Sequence, residues 1–246
     1  SCRTLPADSQ RVVGGTPATI RQYPYSAALL RSNDFIHYLQ KCGGTIVQRR
    51  FVMTAANCVI GDTPIRWRIR VGSVFANSGG VVHHTNEIIL HPRYDIRTRD
   101  SDIAIVRTAT DIVFTLNVGV ARIAASTNNL NSHNIVQGIG WGATSFGGPH
   151  SETLQRVDLW VTDQVDCRLR YAEIHLEVTQ NMVCAGWLGV GGRDQCIGDN
   201  GSPLVLDGVV VGIRSWGVGC GNPRYPGVST RMNRFSNWIL ENAINV

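Results

Sequence analysis

Apolar positions along this chain recur at every second residue, or gather in short runs, far more often than they recur at helical spacing. The segment RWRIR shows the first pattern: Arg66, Arg68 and Arg70 face one way, and Ile65, Trp67, Ile69 and Val71 the other, as on a half-buried strand. YSAALL, CGGTIV, FVMTAA, WRIRVGSVF, TNEIIL and DIAIVR read as strands in the first half. HNIVQGIGWG, LQRVDLWVT, NMVCAGW, SPLVLDGVVVGIRSWG and GVSTRM read as strands in the second. Turn signals at Ser78-Gly79-Gly80, Gly147-Gly148-Pro149 and Asp207-Gly208 separate them, and the Asp-Gly pair between apolar runs predicts a hairpin. Helical spacing is convincing only at the C-terminal end, where Phe235, Trp238, Ile239 and Asn242 share a face. A shorter helix is expected around TDQVDCRLRYA, and the polar stretch 126–133 reads as a link between two halves.

Composition narrows the class. The 246 residues are 43% hydrophobic and only 17% charged, which disfavours disorder and allows one large all-β domain or two small ones. The net charge of +5 is carried almost wholly by arginine, without a dense basic run or a nucleic-acid motif, so no nucleic-acid partner is expected. No apolar run is long enough to span a membrane, and SCRTLPADSQ at the start has no apolar core of the signal-peptide kind.

Seven cysteines, Cys2, Cys42, Cys58, Cys167, Cys184, Cys196 and Cys220, are widely spaced and form no CxxC pairs. That spacing disfavours zinc and suggests disulfides in an oxidising, extracellular compartment. An odd count leaves at least one thiol over, a candidate for a bond to another chain.

Five ordered motifs then carry a resemblance. RVVGG at 11–15, CGGTIV…FVMTAANC at 42–58, SDIAIVR at 101–107, GRDQCIGDNGSPLV at 192–205 and SWGVGCGNPRYPGVST at 215–230 resemble those of the trypsin-like serine proteases, over essentially all of residues 12–246. The surrounding text most resembles the digestive trypsins of moths and butterflies. The resemblance implies an all-β fold: two antiparallel six-stranded β-barrels, at 12–125 and 126–233, and a C-terminal α-helix at 234–246. Residues 1–11 would be a propeptide-like segment. It also implies a serine–histidine–aspartate mechanism with a backbone oxyanion hole.

Carried over residue by residue, Asp102 matches the orienting aspartate. Asn57 stands at the histidine position and Asn200 at the serine position, while Ser202 replaces a glycine. Gly198 and Asn200 would supply the oxyanion N–H groups. An amide has no titratable proton near neutral pH and its nitrogen lone pair is delocalised, so neither asparagine replaces the residue it displaces. His83, His84 and His91 fall outside the motifs.

Asp194 matches the aspartate at the floor of a pocket for basic side chains, and Gly217 and Gly227 match its walls. Arg214, just before SWG, is expected to turn into that pocket and pair with Asp194. The resemblance further implies an activation junction at Arg11-Val12 with Asp199 receiving the new amine. It pairs Cys42–Cys58, Cys167–Cys184 and Cys196–Cys220, and leaves Cys2 for a disulfide-linked oligomer. GSVFANSGGVV lacks the acidic residues of a calcium loop, so no metal and no cofactor are expected.

These observations lead to an expectation of a secreted, non-catalytic serine protease homologue, in haemolymph or gut fluid if from an insect. It would act by binding an unknown protein or surface ligand, in immune or protease-cascade regulation. Two other classes compete: an active digestive endopeptidase cleaving after Arg or Lys, and a recognition protein for microbial surfaces or polysaccharide.

Overall fold

The computed structural model describes residues 14–243. Fourteen strands follow one another: β1 Thr16–Pro17, β2 Ser26–Arg31, β3 Leu39–Gln48, β4 Phe51–Thr54, β5 Trp67–Val71, β6 Val81–Leu90, β7 Ala104–Thr108, β8 Arg122–Ile123, β9 Ile135–Gly140, β10 Gln155–Val161, β11 Met182–Gly186, β12 Pro203–Leu206, β13 Val209–Trp216 and β14 Gly227–Arg231. Three helices interrupt or close them: α1 Ala56–Val59, α2 Gln164–Ala172 and α3 Ser236–Ala243.

Strands β2 to β7 close into one barrel in the order β2-β3-β4-β7-β6-β5. Strands β9 to β14 form the second: the path β10-β11-β14-β13-β12-β9 is closed by the antiparallel pairing of β9 with β10. This is the two-barrel, trypsin-like architecture with a C-terminal helix that the motifs imply. Barrel closure removes free sheet edges, which suits a chain built from short apolar strands.

Local chemistry explains the elements. β5 alternates strictly, with Trp67, Ile69 and Val71 buried and Arg68 and Arg70 half-buried. The pattern stops one turn early: Pro64–Arg66 is a 3-10 turn, so Ile65 is left exposed, and Arg66 lies over the Phe35 ring at 4.9 Å. The β12–β13 hairpin turns at Asp207 and Gly208, both at positive φ (49° and 75°), as a two-residue type I′ turn needs. α2 begins where the Asp163 carboxylate accepts from the N–H groups of Val165 and Asp166, a cap that contributes about 1 kcal/mol. α3 buries Ile239 and Ala243.

The halves interlock more than a division near residue 125 suggests. β1, early in the chain, pairs with β10 of the second barrel, and Ala18 N–H donates to Leu154 O at 2.9 Å. β8 lies parallel to β13. One buried apolar cluster runs through both barrels, from Leu29 and Ile69 to Val183 and Ile213.

Three disulfides, Cys42–Cys58, Cys167–Cys184 and Cys196–Cys220, are formed as the resemblance implies. They belong to an oxidising, extracellular compartment. Cys2 and the Arg11-Val12 junction lie outside the described residues. Among the described residues, no helix is long and apolar enough to cross a membrane.

Candidate active site

Each barrel contributes one side of the site. Asn57 sits in α1, the short turn that follows β4, and Asp102 lies two residues before β7. Asn200 comes from the loop between β11 and β12, and Ser215 from the end of β13. β4 and β7 pair side by side, Thr54 opposite Ala104, which brings residues 57 and 102 together across the first barrel's rim.

Asp102 is fully buried. Its Oδ1 accepts from the backbone N–H of Asn57 at 2.7 Å. Its Oδ2 accepts from Ser215 Oγ at 2.5 Å and from Asn57 Nδ2. Burial pushes this carboxyl above the usual range, and the donors from Ser215 and Asn57 pull it back in part. Thr230 Oγ1 donates to the Asp102 carbonyl at 2.8 Å, fixing the backbone as well.

Asn57 then faces two ways. Its Nδ2 donates to Asp102 and, at 3.2 Å, to the Ser215 carbonyl. Its Oδ1 accepts from Asn200 Nδ2 at 3.1 Å. The result is a directional relay, Asn200 to Asn57 to Asp102, in which the middle residue donates to the carboxylate and accepts from residue 200. An imidazole between a hydroxyl and a carboxylate makes the same pair of bonds.

The loop carrying Asn200 is tightly held. Gly43 N–H donates to Asn200 O at 2.8 Å, and Gly201 N–H to Arg214 O at 2.8 Å. Gly201 is at φ +82°, and a Cβ there would lie 2.1 Å from Thr54 Oγ1, so only glycine fits beside residue 200. Gly198 is at φ +95°, and its carbonyl accepts from Gln40 Nε2 at 2.8 Å. Ser202 points away from the relay, toward Gly43 and Gly140, where a Cβ at Gly43 would lie 1.8 Å from Ser202 Oγ. Asp199 is fully buried, its carboxylate accepting from Gly142 N–H at 2.7 Å and Cys196 N–H at 2.9 Å; burial raises its pKa to about 7.

Beyond the relay lies the pocket. Arg214 turns into it, and its Nη2 stands 3.6 Å from Asp194 Oδ2, with both side chains 5% exposed. The alternation of β13 explains the direction. Ser215 faces Asp102 while the preceding Arg214 faces Asp194, Trp216 packs its ring on Tyr171, and the β13–β14 pairing shifts register between 214 and 216. Burial raises the Asp194 carboxyl, with Arg214 and the Gly221 N–H opposing the shift.

The structure thus brings together Asn57, Asp102 and Asn200, and separately Asp194, Arg214, Gly217 and Gly227. His83 bonds to Thr110 Oγ1, and His91 packs against Phe235 and Trp238. The sequence reading missed two features. Ser215 donates to Asp102, a contact that the alternation of SWG in a strand already signalled. His150 reaches the Gly198 backbone through Gln40, with Nδ1 3.0 Å from Gln40 Oε1; nothing in the sequence linked residues 40, 150 and 198.

Comparison with known proteins adds the wider setting. A family model described as Trypsin matches residues 12–239. The chain is 52% identical over 239 residues to "Trypsin, alkaline C" of Manduca sexta, covering 97% of this chain and 93% of that protein. It is 51% identical over 243 residues to "Trypsin CFT-1" of Choristoneura fumiferana, covering 99% and 95%. It is 43% identical over 236 residues to "Achelase-1" of Lonomia achelous, covering 94% and 100%.

These likenesses correct the expectation of a non-catalytic homologue acting through binding in immune or cascade regulation. That expectation gave positions 57 and 200 more weight than the likeness of the surrounding sequence to digestive trypsins. Identity above half the residues with several trypsins, along the whole chain, and a serine hydroxyl still bonded to Asp102, argue for the enzyme side of the family. Asn57 and Asn200 remain amides, and their roles within that framework are the hydrogen bonds just described.

Proposed function

Since the chain belongs to the trypsin family, we propose that it is a secreted endopeptidase of the digestive kind, working in the gut fluid of a lepidopteran-like host. The observation that carries this reading is the 52% identity with "Trypsin, alkaline C" across 97% of the chain. The buried, triply donated Asp102, the fixed loop at Gly198–Asn200 and the disulfide framework support it.

In this reading the substrate's scissile carbonyl lies over Asn200. A water molecule adds to the carbonyl carbon, and the backbone N–H groups of Gly198 and Asn200 receive the developing oxyanion. As the C–N bond breaks, the water's proton passes through solvent to the leaving amine, while Asp102 holds the relay in register. Asn57 and Asn200 supply neither a general base nor an alkoxide, so no proton transfer is assigned to them. Positioning and oxyanion stabilisation without the triad contribute roughly 10³–10⁴ over water. The proposal is therefore of a slow endopeptidase, far below the rate of an intact serine–histidine pair. Cleavage at Arg11-Val12 would place a new amine near Asp199, whose buried carboxylate has backbone partners and no cation within salt-bridge reach among the described residues.

The test is release of labelled peptides from casein by the purified full chain, before and after cleavage at Arg11. Every preparation is matched by the Asp102→Asn variant made in the same way. Hydrolysis that the variant lacks supports the reading. Equal release from both preparations, or none from either, overturns it.

A further inference from the structure

The guanidinium of Arg214 sits where a ligand's cationic side chain would sit over Asp194. Three sets of contacts hold it there. Its Nη2 faces the carboxylate at 3.6 Å. Its Nη1 donates to the carbonyls of Trp216, at 2.5 Å, and Val228, at 3.4 Å. It also lies against both glycine walls: a Cβ at Gly227 would be 2.5 Å from Nη1 and one at Gly217 2.9 Å from Nη2. The walls are small, and the space that smallness creates is already taken.

Arg214 cannot leave by a simple rotation of the backbone. Its N–H donates to Ser202 O at 2.9 Å, and its carbonyl accepts from Gly201 N–H at 2.8 Å, so the residue is anchored inside β13. The whole residue is 4% exposed. Asp194 supplies a reason for the arginine to stay. Apart from Arg214, its bonding to the rest of the chain comes from backbone N–H groups such as that of Gly221, at 3.2 Å. A carboxylate so buried is costly without a cation or further donors.

We propose that Arg214 is a built-in occupant of the pocket above Asp194, so that the cleft refuses arginine and lysine side chains there. Gly217 is exposed at the mouth of the pocket, and even there a Cβ would lie 2.9 Å from Arg214 Nη2, so the guanidinium fills the pocket up to its rim. The inference rests on the reading of this cleft as the substrate cleft. It concerns which side chain the cleft admits, not the rate of the reaction.

Binding of p-aminobenzamidine, an aromatic amidine that fluoresces when its ring enters an apolar pocket, tests the idea without any turnover. An inactive preparation therefore leaves it readable. The native chain is expected to bind the probe no better than a control protein. Arg214→Ala opens the pocket and leaves Asp194 without its cation, so affinity should rise by about 100-fold or more. Adding Asp194→Asn to that variant should remove the gain. Arg214→Val, whose branched side chain suits a strand, gives the same arm if the alanine variant does not fold. Native protein that binds the probe as tightly as the Arg214 variants overturns the proposal. So does a folded Arg214 variant that gains no affinity, or a gain that survives loss of the Asp194 charge.

Discussion

Asn200 donates from Nδ2 to Oδ1 of Asn57 at 3.1 Å, and Asn57 passes the chain on to Asp102. Two amides therefore reproduce the hydrogen-bond directions of a hydroxyl–imidazole pair without its proton chemistry. The surrounding backbone is positioned as that chemistry would need. Asn57→His together with Asn200→Ser should thus restore a working pair, because Gly201, Gly43 and Thr54 still hold the loop. Casein hydrolysis is expected to rise by roughly 10³-fold or more over the native chain. Either single change should give little, since base and nucleophile act as a unit. An unchanged rate in the folded double variant would mean that the relay geometry is not the limit on turnover.

Ser215 holds the other side of the same carboxylate, with Oγ 2.5 Å from Asp102 Oδ2. A hydrogen bond to a charged buried acceptor contributes about 1.5–3 kcal/mol. Ser215→Ala should lose about that much stability near neutral pH, measured by denaturant unfolding. Burial already raises the Asp102 carboxyl, and losing a donor raises it further. The gap between variant and native protein should therefore narrow as pH falls and the carboxyl takes up its proton in both. A gap that is independent of pH would point to lost packing instead.

Arg214 makes a prediction about peptide products. If the pocket over Asp194 is filled from within, casein fragments should not end preferentially in Arg or Lys. Sequencing the new termini measures this directly. In the Arg214→Val variant such ends should become enriched, because Asp194, buried beside Arg214 in the native chain, then has no guanidinium over it. A native preparation with mostly basic ends would contradict the filled pocket.

The two barrels were legible because alternation and short apolar runs mark strands, and five ordered motifs fixed their sequence. The positions of Asn57, Asp102 and Asn200 followed from those motifs, and the direction of Arg214 from strand alternation. What stayed hidden was set by contacts distant in sequence. The pairing of Thr16–Pro17 with β10 needs residues about 140 positions apart to meet, and neither segment announces its partner. The Gln40–His150–Gly198 link spans 158 positions and uses an ordinary glutamine. The 3-10 turn at Pro64 cut short an alternation that appeared to begin at Ile65, because proline suits the start of a tight helical turn. The functional expectation erred for a different reason. It let two side chains outweigh the likeness to digestive trypsins along the rest of the chain, which the measured identity of 52% over 97% of the chain puts first.

Asp199 links the fold to pH. Its carboxyl is fully buried between two backbone donors, and burial raises its pKa to about 7 from an ordinary 3.8. In the unfolded chain the proton leaves near 3.8; in the folded chain it is held to about 7. Between those values the folded state binds more protons, so stability falls as pH rises. Below the window the group contributes nothing to the slope, and above it the full penalty is present. Asp199→Asn removes this titration. The thermal midpoint of the native chain, relative to that variant, should therefore decline steadily from about pH 4 to about pH 7 and then level off. Cleavage at Arg11 offers the counter-experiment. An amine that reaches Asp199 would favour the charged carboxylate, and the decline should vanish or reverse in the cleaved protein. A decline of equal size before and after cleavage would show that the new terminus does not pair with Asp199.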